Sequence, residues 1–381
     1  VLGGAGVMGS YAVECLSKTD VFSELLIADI DVSRAKKISE ISEKIDYMKI
    51  DATNKESISQ SLKGADVAVN CIGPFYKFAP RILETAIEYG IDYVDICDDY
   101  DTTQKLIDEF NDKAIDAGVT CIVGLGASPG ITNVIAAYVS NQLTSVDEIK
   151  IYVTRGIEEE AGGAIPYHMF HCWLGEVPIY KNGSYQKARG LVDGGEYVKF
   201  PEPFGQATVY YFGHPETVTL PRYIKEVKNV CCKGTFFPPE FRQALLQVHS
   251  LGLLSEHPIN VKGYEVAPLD FMASFISSME ENMSNIRDKV PEGGAVMVEV
   301  TGKKNSQSKI HTFAGTSHMR EGTATPAALG ARMVANGTIN SPGVKAPEAC
   351  VPPKQFINAL LEEKLFSNVW MTVTEKIEGQ I

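Results

Sequence analysis

Residues 1–10 read VLGGAGVMGS, and Gly4, Gly6 and Gly9 within them fit the spacing G-x-G-x-x-G, with Gly3 alongside. In a turn of this kind the first glycine makes the tight bend. The second lets a phosphate approach the backbone, and the third lets the next helix pack on the strand. The amides at Val7, Met8 and Gly9 would then open a helix N-terminus, a place that favours negative charge. Taken alone, the ten residues read equally as a glycine-rich turn with no ligand. Their surroundings favour the cradle. Apolar Val1-Leu2 precedes the glycines, and a helical pattern follows from Val7 to Lys18. Asp29 ends the apolar run ELLIADI (24–30), 20 residues beyond Gly9. We therefore expect a dinucleotide site. A buried strand takes about four to eight residues, so part of the first strand is expected to lie upstream of Val1.

Asp29 bears on which dinucleotide binds. A carboxylate there accepts hydrogen bonds from a ribose 2′-hydroxyl and repels a 2′-phosphate. NAD is expected over NADP. Arg34 is the counter-argument, although it reads better as a solvated arginine on a helix face. Asp51 either reaches the adenine edge or caps the turn after its strand.

Strand and helix patterns alternate through the first third of the chain. Apolar runs at 24–30, 46–52, 66–73, 91–97 and 119–126 are separated by amphipathic stretches. This rhythm means βαβ units, a parallel sheet and a doubly wound Rossmann domain. It then breaks. Strand-like runs at 148–156, 207–214, 228–234, 295–303 and 309–315 mix with helical stretches near 238–250, 267–281 and 325–336. A second, mixed α+β domain is expected. A chain of 381 residues, 44% hydrophobic, is too long for one ordinary core and suits two.

The bulk numbers exclude some classes. A formal charge of −13 repels phosphate backbones and anionic lipid, so nucleic acid and membrane partners are not expected. No apolar run approaches the ~18 residues of a spanning helix, and no basic leader with a cleavage site precedes the glycines. The eight cysteines include no C-x-x-C pair. They read as reduced buried thiols of a cytoplasmic protein, and no metal site is expected.

Ligands of such sheets bind outside the carboxyl ends of the strands. Those ends carry Asn70, Asp95, Asp98 and GLGASPG (124–130). A nicotinamide is expected near Gly73, Pro74 and Phe75. Several later stretches then become informative: VNCIGPF (69–75), YVDICDD (93–99), GASPGITN (126–133), GHPETVTLPR (213–222), HMREGTATPAALGARM (318–333) and GVKAPEAC (343–350). In this order the chain resembles the saccharopine dehydrogenase-like family, near its lysine 6-dehydrogenase and saccharopine reductase branch. The resemblance implies a Rossmann domain (1–128), a substrate and dimerisation domain (129–320), and C-terminal segments (321–381) partly returning to the first. It also implies NAD(P)-linked oxidation of a C–N bond in an amino acid, or reduction of the imine, and a homodimer. The family also holds enoyl reductases and proteins of unknown role. A C=C reductase and a non-catalytic NAD-binding regulator therefore stay open.

Amine oxidation needs a proton acceptor. The candidates are Lys77, Asp95 and His168, each with a bland alternative: a solvated lysine, a turn cap, a polar helix edge. Asp98, His171 and Thr217 are candidate substrate contacts, together with His214 as a pocket wall. Arg222 is expected to fork onto a substrate carboxylate, with Arg155 as runner-up. The aromatic stretch YHMFHCW (167–173) could instead line an apolar pocket. GTATP (322–326) reads as a helix start.

Overall fold

The computed structural model describes residues 1–156, 163–282 and 290–376. After the glycine turn the first domain runs α1 (Val7–Ser17), β1 (Leu25–Asp29), α2 (Val32–Ser39), β2 (Ile45–Lys49), α3 (Lys55–Leu62) and β3 (Val67–Asn70). It continues with α4 (Phe75–Glu88), β4 (Asp92–Asp95), α5 (Tyr100–Ala117) and β5 (Thr120–Ile122). All strand pairings here are parallel. Leu2 bridges Ala28 on one side and Asn70 on the other, so it alone fills the first-strand position. The order across the sheet becomes β2, β1, Leu2, β3, β4, β5, closed by β16 (Gly343–Lys345) from far along the chain. The local signals are legible. Asp31 caps α2 through the Arg34 amide, and Asn54 caps α3 through the amides of Glu56 and Ser57. Gly118 ends α5 at φ +70°.

After α6 (Ile131–Ser140) comes a larger mixed sheet. Its long strand β6 (Ser145–Arg155) is followed by α7 (Ile165–Cys172), β7 (Glu176–Lys181), β8 (Ser184–Arg189), β9 (Glu196–Lys199) and β10 (Gln206–Tyr211). Then come α8 (Pro215–Tyr223), β11 (Asn229–Phe236), α9 (Glu240–Ser250), β12 (Ile259–Val261), β13 (Tyr264–Val266) and α10 (Pro268–Asn282). The strands β14 (Gly294–Lys304) and β15 (Gln307–Ser317) complete the middle of the sheet. β6 and β11 run parallel and the other pairings are antiparallel. The chain then returns to the first domain. Helix α11 (Met319–Ala335) packs on α1, and β16, α12 (Pro347–Cys350) and α13 (Pro353–Glu362) follow. β17 (Ser367–Lys376) goes back to β15. Among the described residues no helix is long and apolar enough to cross a membrane.

The hairpin β7–β8 turns at Asn182-Gly183 with both φ positive. Two expectations are corrected. The run 128–142 reads from the sequence as a helix with Pro129 near its first turn, but α6 starts after Gly130 and Pro129 precedes it. GTATP is not a helix start, because α11 begins at Met319 and carries Pro326 inside it. Small residues Gly322, Ala324, Ala327 and Ala328 are buried on that helix, which allows its close approach.

One buried polar chain ties the carboxyl ends of the first sheet together. The Asn70 amide donates to the Tyr93 hydroxyl at 2.9 Å, and that hydroxyl donates to Asp95 at 2.9 Å. Asp95 also accepts from the amides of Cys97 (3.0 Å) and Gly124 (2.7 Å), which holds the loops after β4 and β5. Asp95 is fully buried. Burial pushes its carboxyl up to about 6, against three hydrogen bonds that pull it down. A carboxyl raised on folding stabilises the fold below its unfolded value of 3.8 and loses that contribution as pH rises through about 6. This loss is on the order of 3 kcal/mol. Denaturant titrations of the wild type between pH 4 and 6.5 should contain this falling component, and Asp95→Asn should remove it.

Candidate functional site

A cleft of about 550 Å3 lies along the carboxyl ends of the first sheet. Its floor is the glycine turn with Asp29 and Asp51. One wall is Gly73, Pro74 and Phe75, where β3 passes into α4. The other wall is built by the second domain and the returning chain, through Ala164 just before α7, Ile165 and His168 of α7, and Met319 and Thr323 of α11. Gly73 allows the walls to meet, since a Cβ there would stand 2.7 Å from the Ala164 methyl.

The floor fits a dinucleotide. Gly3, outside the fingerprint read from the sequence, takes the left-handed turn at φ +70°. Gly4 packs on β1, where a Cβ would come within 3.0 Å of Ile27. Gly9 is the strictest position, because a Cβ there would stand 2.0 Å from the Gly3 carbonyl oxygen. No side chain caps α1 at Gly6 and its first turn holds no acid. Its opening amides at Val7 and Met8 therefore face the cleft as an anion site. Asp29 braces this turn by accepting from the Ala5 amide (2.8 Å), and its other oxygen accepts from the Asp31 amide (3.0 Å). Each oxygen keeps a second lone pair for a ribose hydroxyl. Asp51 accepts from the amide and hydroxyl of Thr53, so it caps its turn while lining the cleft.

His168 is the titratable ring in the cleft wall. Its Nδ1 lies 3.2 Å from Asp98 and 3.0 Å from Asp99. Asp99 is buried and Asp98 is half-buried. Burial disfavours charge on the ring, but the two carboxylates outweigh it and hold the His168 pKa well above 6.5. Asp98 is lowered in turn, its own burial outweighed by His168. Behind lies a second pair, missed in the sequence. His214 Nδ1 meets buried Glu216 at 2.6 Å, and Glu216 also takes the hydroxyls of Ser128 (2.5 Å) and Thr132 (2.6 Å). The two imidazoles stand edge to face with centroids 5.7 Å apart. Cys172 and Cys232 lie near the respective pairs, so the donors of each trio sit within 4.8 Å of one another. Burial pushes the Cys172 thiol up to about 12 and Cys232 well above its ordinary value.

The other candidates scatter. Asp95 lies beneath the cleft in the network that shapes it. Lys77 is exposed beside the cleft, with its ammonium over the rings of Tyr76 and Tyr167. His171 faces away from the lining, stacked on Tyr76 (4.7 Å) and paired with Asp101 (3.0 Å). Thr217 is buried in α8. Arg222 is not in this cleft. It pairs with Asp108 on α5 and lines a separate recess with Tyr180 and Tyr185. Arg155 ends β6, outside the lining. The aromatic stretch divides: Phe170 and Trp173 go to the core, where Trp173 stacks on Phe212 at 4.0 Å, and His168 lines the cleft.

The glycine geometry sets a direct test. Gly9→Ala should cost about 1–3 kcal/mol or more of stability, as overpacked sites do, and should abolish dinucleotide binding. Thermal unfolding and a dinucleotide titration check the two effects.

Comparison with known proteins bears on this geometry. Residues 1–122 match the model for the saccharopine dehydrogenase NADP binding domain, and residues 126–365 match that for the saccharopine dehydrogenase C-terminal domain. The carboxyaminopropylagmatine dehydrogenase of Synechocystis is 23% identical over 94% of each chain. The carboxynorspermidine synthase of Vibrio cholerae is 24% identical over 72% of this chain and 71% of its own. The fold is that of the apo saccharopine dehydrogenase (L-Glu forming) of Saccharomyces cerevisiae, with TM-score 0.68 and 14% identity over 98% of this chain and 99% of the other. With both family models matched in order, the chain belongs to the saccharopine dehydrogenase family and is an NAD(P)-dependent oxidoreductase.

Proposed function

We propose that the chain exchanges an amine for its imine at the C–N bond of an amino-acid-derived substrate, with NAD as partner and His168 as the proton-handling group. The observation that carries this reading is the position of His168. A ring from the second domain enters the dinucleotide cleft with its Nδ1 held by Asp98 and Asp99. The names of the two relatives, both built on amine substrates, support the same class.

A bound nicotinamide supplies the carbon that takes or gives hydride. The glycine turn and the α1 amides would hold its pyrophosphate and Asp29 its ribose. Asp29 favours NAD, since a 2′-phosphate would meet its carboxylate. The rest falls to this chain's residues. An amine arrives as an ammonium ion and must lose a proton before its carbon can release hydride. With Nδ1 turned to the carboxylates, Nε2 of His168 is the atom that takes this proton, and it returns the proton when the imine is reduced. The nitrogen lone pair then forms the C=N bond as the C–H electron pair leaves. All eight cysteines are free thiols, which suits a reducing, cytoplasmic setting.

His168→Ala should lower kcat/KM for amine oxidation by about 10²–10⁴, the range for a lost general base. Amine oxidation should rise with pH through the raised His168 pKa, and imine reduction should fall through the same pH. Asp98→Asn removes a charge that stabilises the protonated ring, so both breaks should move to lower pH. Initial rates with lysine-like and opine-like amines across pH 6–10 check this. NAD should be used over NADP by roughly tenfold or more in kcat/KM, given the charge of Asp29. A preference for NADP would overturn the cofactor assignment.

A further inference from the structure

Helix α7 brings Tyr167 opposite Tyr76 of α4, one residue away from the cleft on each side. Phe75 and Phe78 line the cleft from α4, and Ile165 and His168 line it from α7. Between the two tyrosines sits the ammonium of Lys77, 5.4 Å from the Tyr76 centroid and 5.2 Å from that of Tyr167. Both distances fall within the ~6 Å reach of a cation–π contact. Each tyrosine hydroxyl donates to a carboxylate, Tyr76 to Glu256 at 3.2 Å and Tyr167 to Asp270 at 2.7 Å. Two ring faces thus meet beside the cleft, each ring carrying a carboxylate on its hydroxyl.

We propose that Tyr76 and Tyr167, backed by Glu256 and Asp270, form a subsite for an ammonium or guanidinium group at the far end of the substrate, and that Lys77 is its resident stand-in. The inference rests on the reading that an amine is the substrate, and it names the part of that substrate which is recognised. The subsite already holds an alkylammonium, so its dimensions suit one. Lys77 is exposed on a flexible stem and is free to swing away. The ring faces and the two carboxylates on their hydroxyls favour a second cation in its place over an anion. The opposite reading, that the rings hold Lys77 ready to bind a substrate carboxylate, makes opposite predictions.

The test is calorimetric titration of the full chain, saturated with NAD, using cadaverine as the cationic probe and glutarate as the anionic one. Lys77→Met empties the subsite. It should tighten cadaverine about fivefold to thirtyfold, the range expected from two ring contacts. Tyr76→Leu and Tyr167→Leu should weaken cadaverine by a similar factor. Glu256→Gln and Asp270→Asn, which keep a hydrogen-bonding group and lose the charge, should weaken it less. NAD affinity should be unchanged in every variant, which separates these effects from misfolding. Weaker cadaverine binding in Lys77→Met, or glutarate binding that disappears with Lys77, would overturn the proposal in favour of an anion anchor. So would equal or undetectable cadaverine binding in the wild type and Lys77→Met. The readout needs no turnover. A chain that oxidises amines without this pattern loses the subsite and keeps the reaction. One that shows the pattern without oxidising amines keeps the subsite and loses the reaction.

Discussion

The contact between His168 and the paired carboxylates Asp98 and Asp99 joins two domains that otherwise have separate cores. The carboxylates stand where β4 leaves the nucleotide sheet, and the ring stands on a helix of the second domain. Asp99 also accepts the Tyr76 amide at 3.0 Å, so the same carboxylate holds the start of α4. Three elements of the cleft wall are therefore set by one buried acid. His171 pairs with Asp101 one turn further along, and this gives α7 a second fastening to the same segment. Burial of Asp99 is tolerated because its oxygens are taken by a backbone amide and an imidazole. The arrangement that keeps the acid satisfied also raises the His168 pKa and holds the ring in the cleft wall.

Beneath this contact lies the chain of Asn70, Tyr93 and Asp95, and behind it lies the pair His214–Glu216. Neither reaches the cleft. Both hold its edges: Asp95 through the Gly124 amide, and Glu216 through the hydroxyls of Ser128 and Thr132. The loop 124–130 is thus fixed from both domains. The polar residues near the cleft accordingly divide into those that shape the loops and the ring that faces the ligand space.

The nucleotide half was legible because its signals are local. A glycine spacing, strand-end acids and cap residues such as Asp31 and Asn54 each act within a few positions of themselves. The role of Gly3 was hidden because the atoms that crowd it belong to Cys71 and Ile72, which follow β3 far along the chain. The second domain was less legible, since antiparallel pairing across long loops leaves little local trace. Its hairpin at Asn182-Gly183 is an exception, carrying a two-residue turn signal that was open to reading. The site residues divide in the same way. His168 and Asp98 lie 70 positions apart and meet only in the fold. Arg222 had suitable chemistry for a carboxylate, yet α8 turns it to Asp108. Glu216 sits two residues from His214, a spacing that means nothing until a helix start brings the two side chains together.

The central claim is that His168 exchanges a proton with the substrate nitrogen. The most direct measurement is a crystal structure of the chain with NAD and a slowly reacting amine substrate. The account requires the amine nitrogen within about 3.2 Å of the His168 ring, the reach of a general base, with Nδ1 still on Asp98 and Asp99. An amine nitrogen held by another titratable group, with His168 turned away from it, would contradict the account.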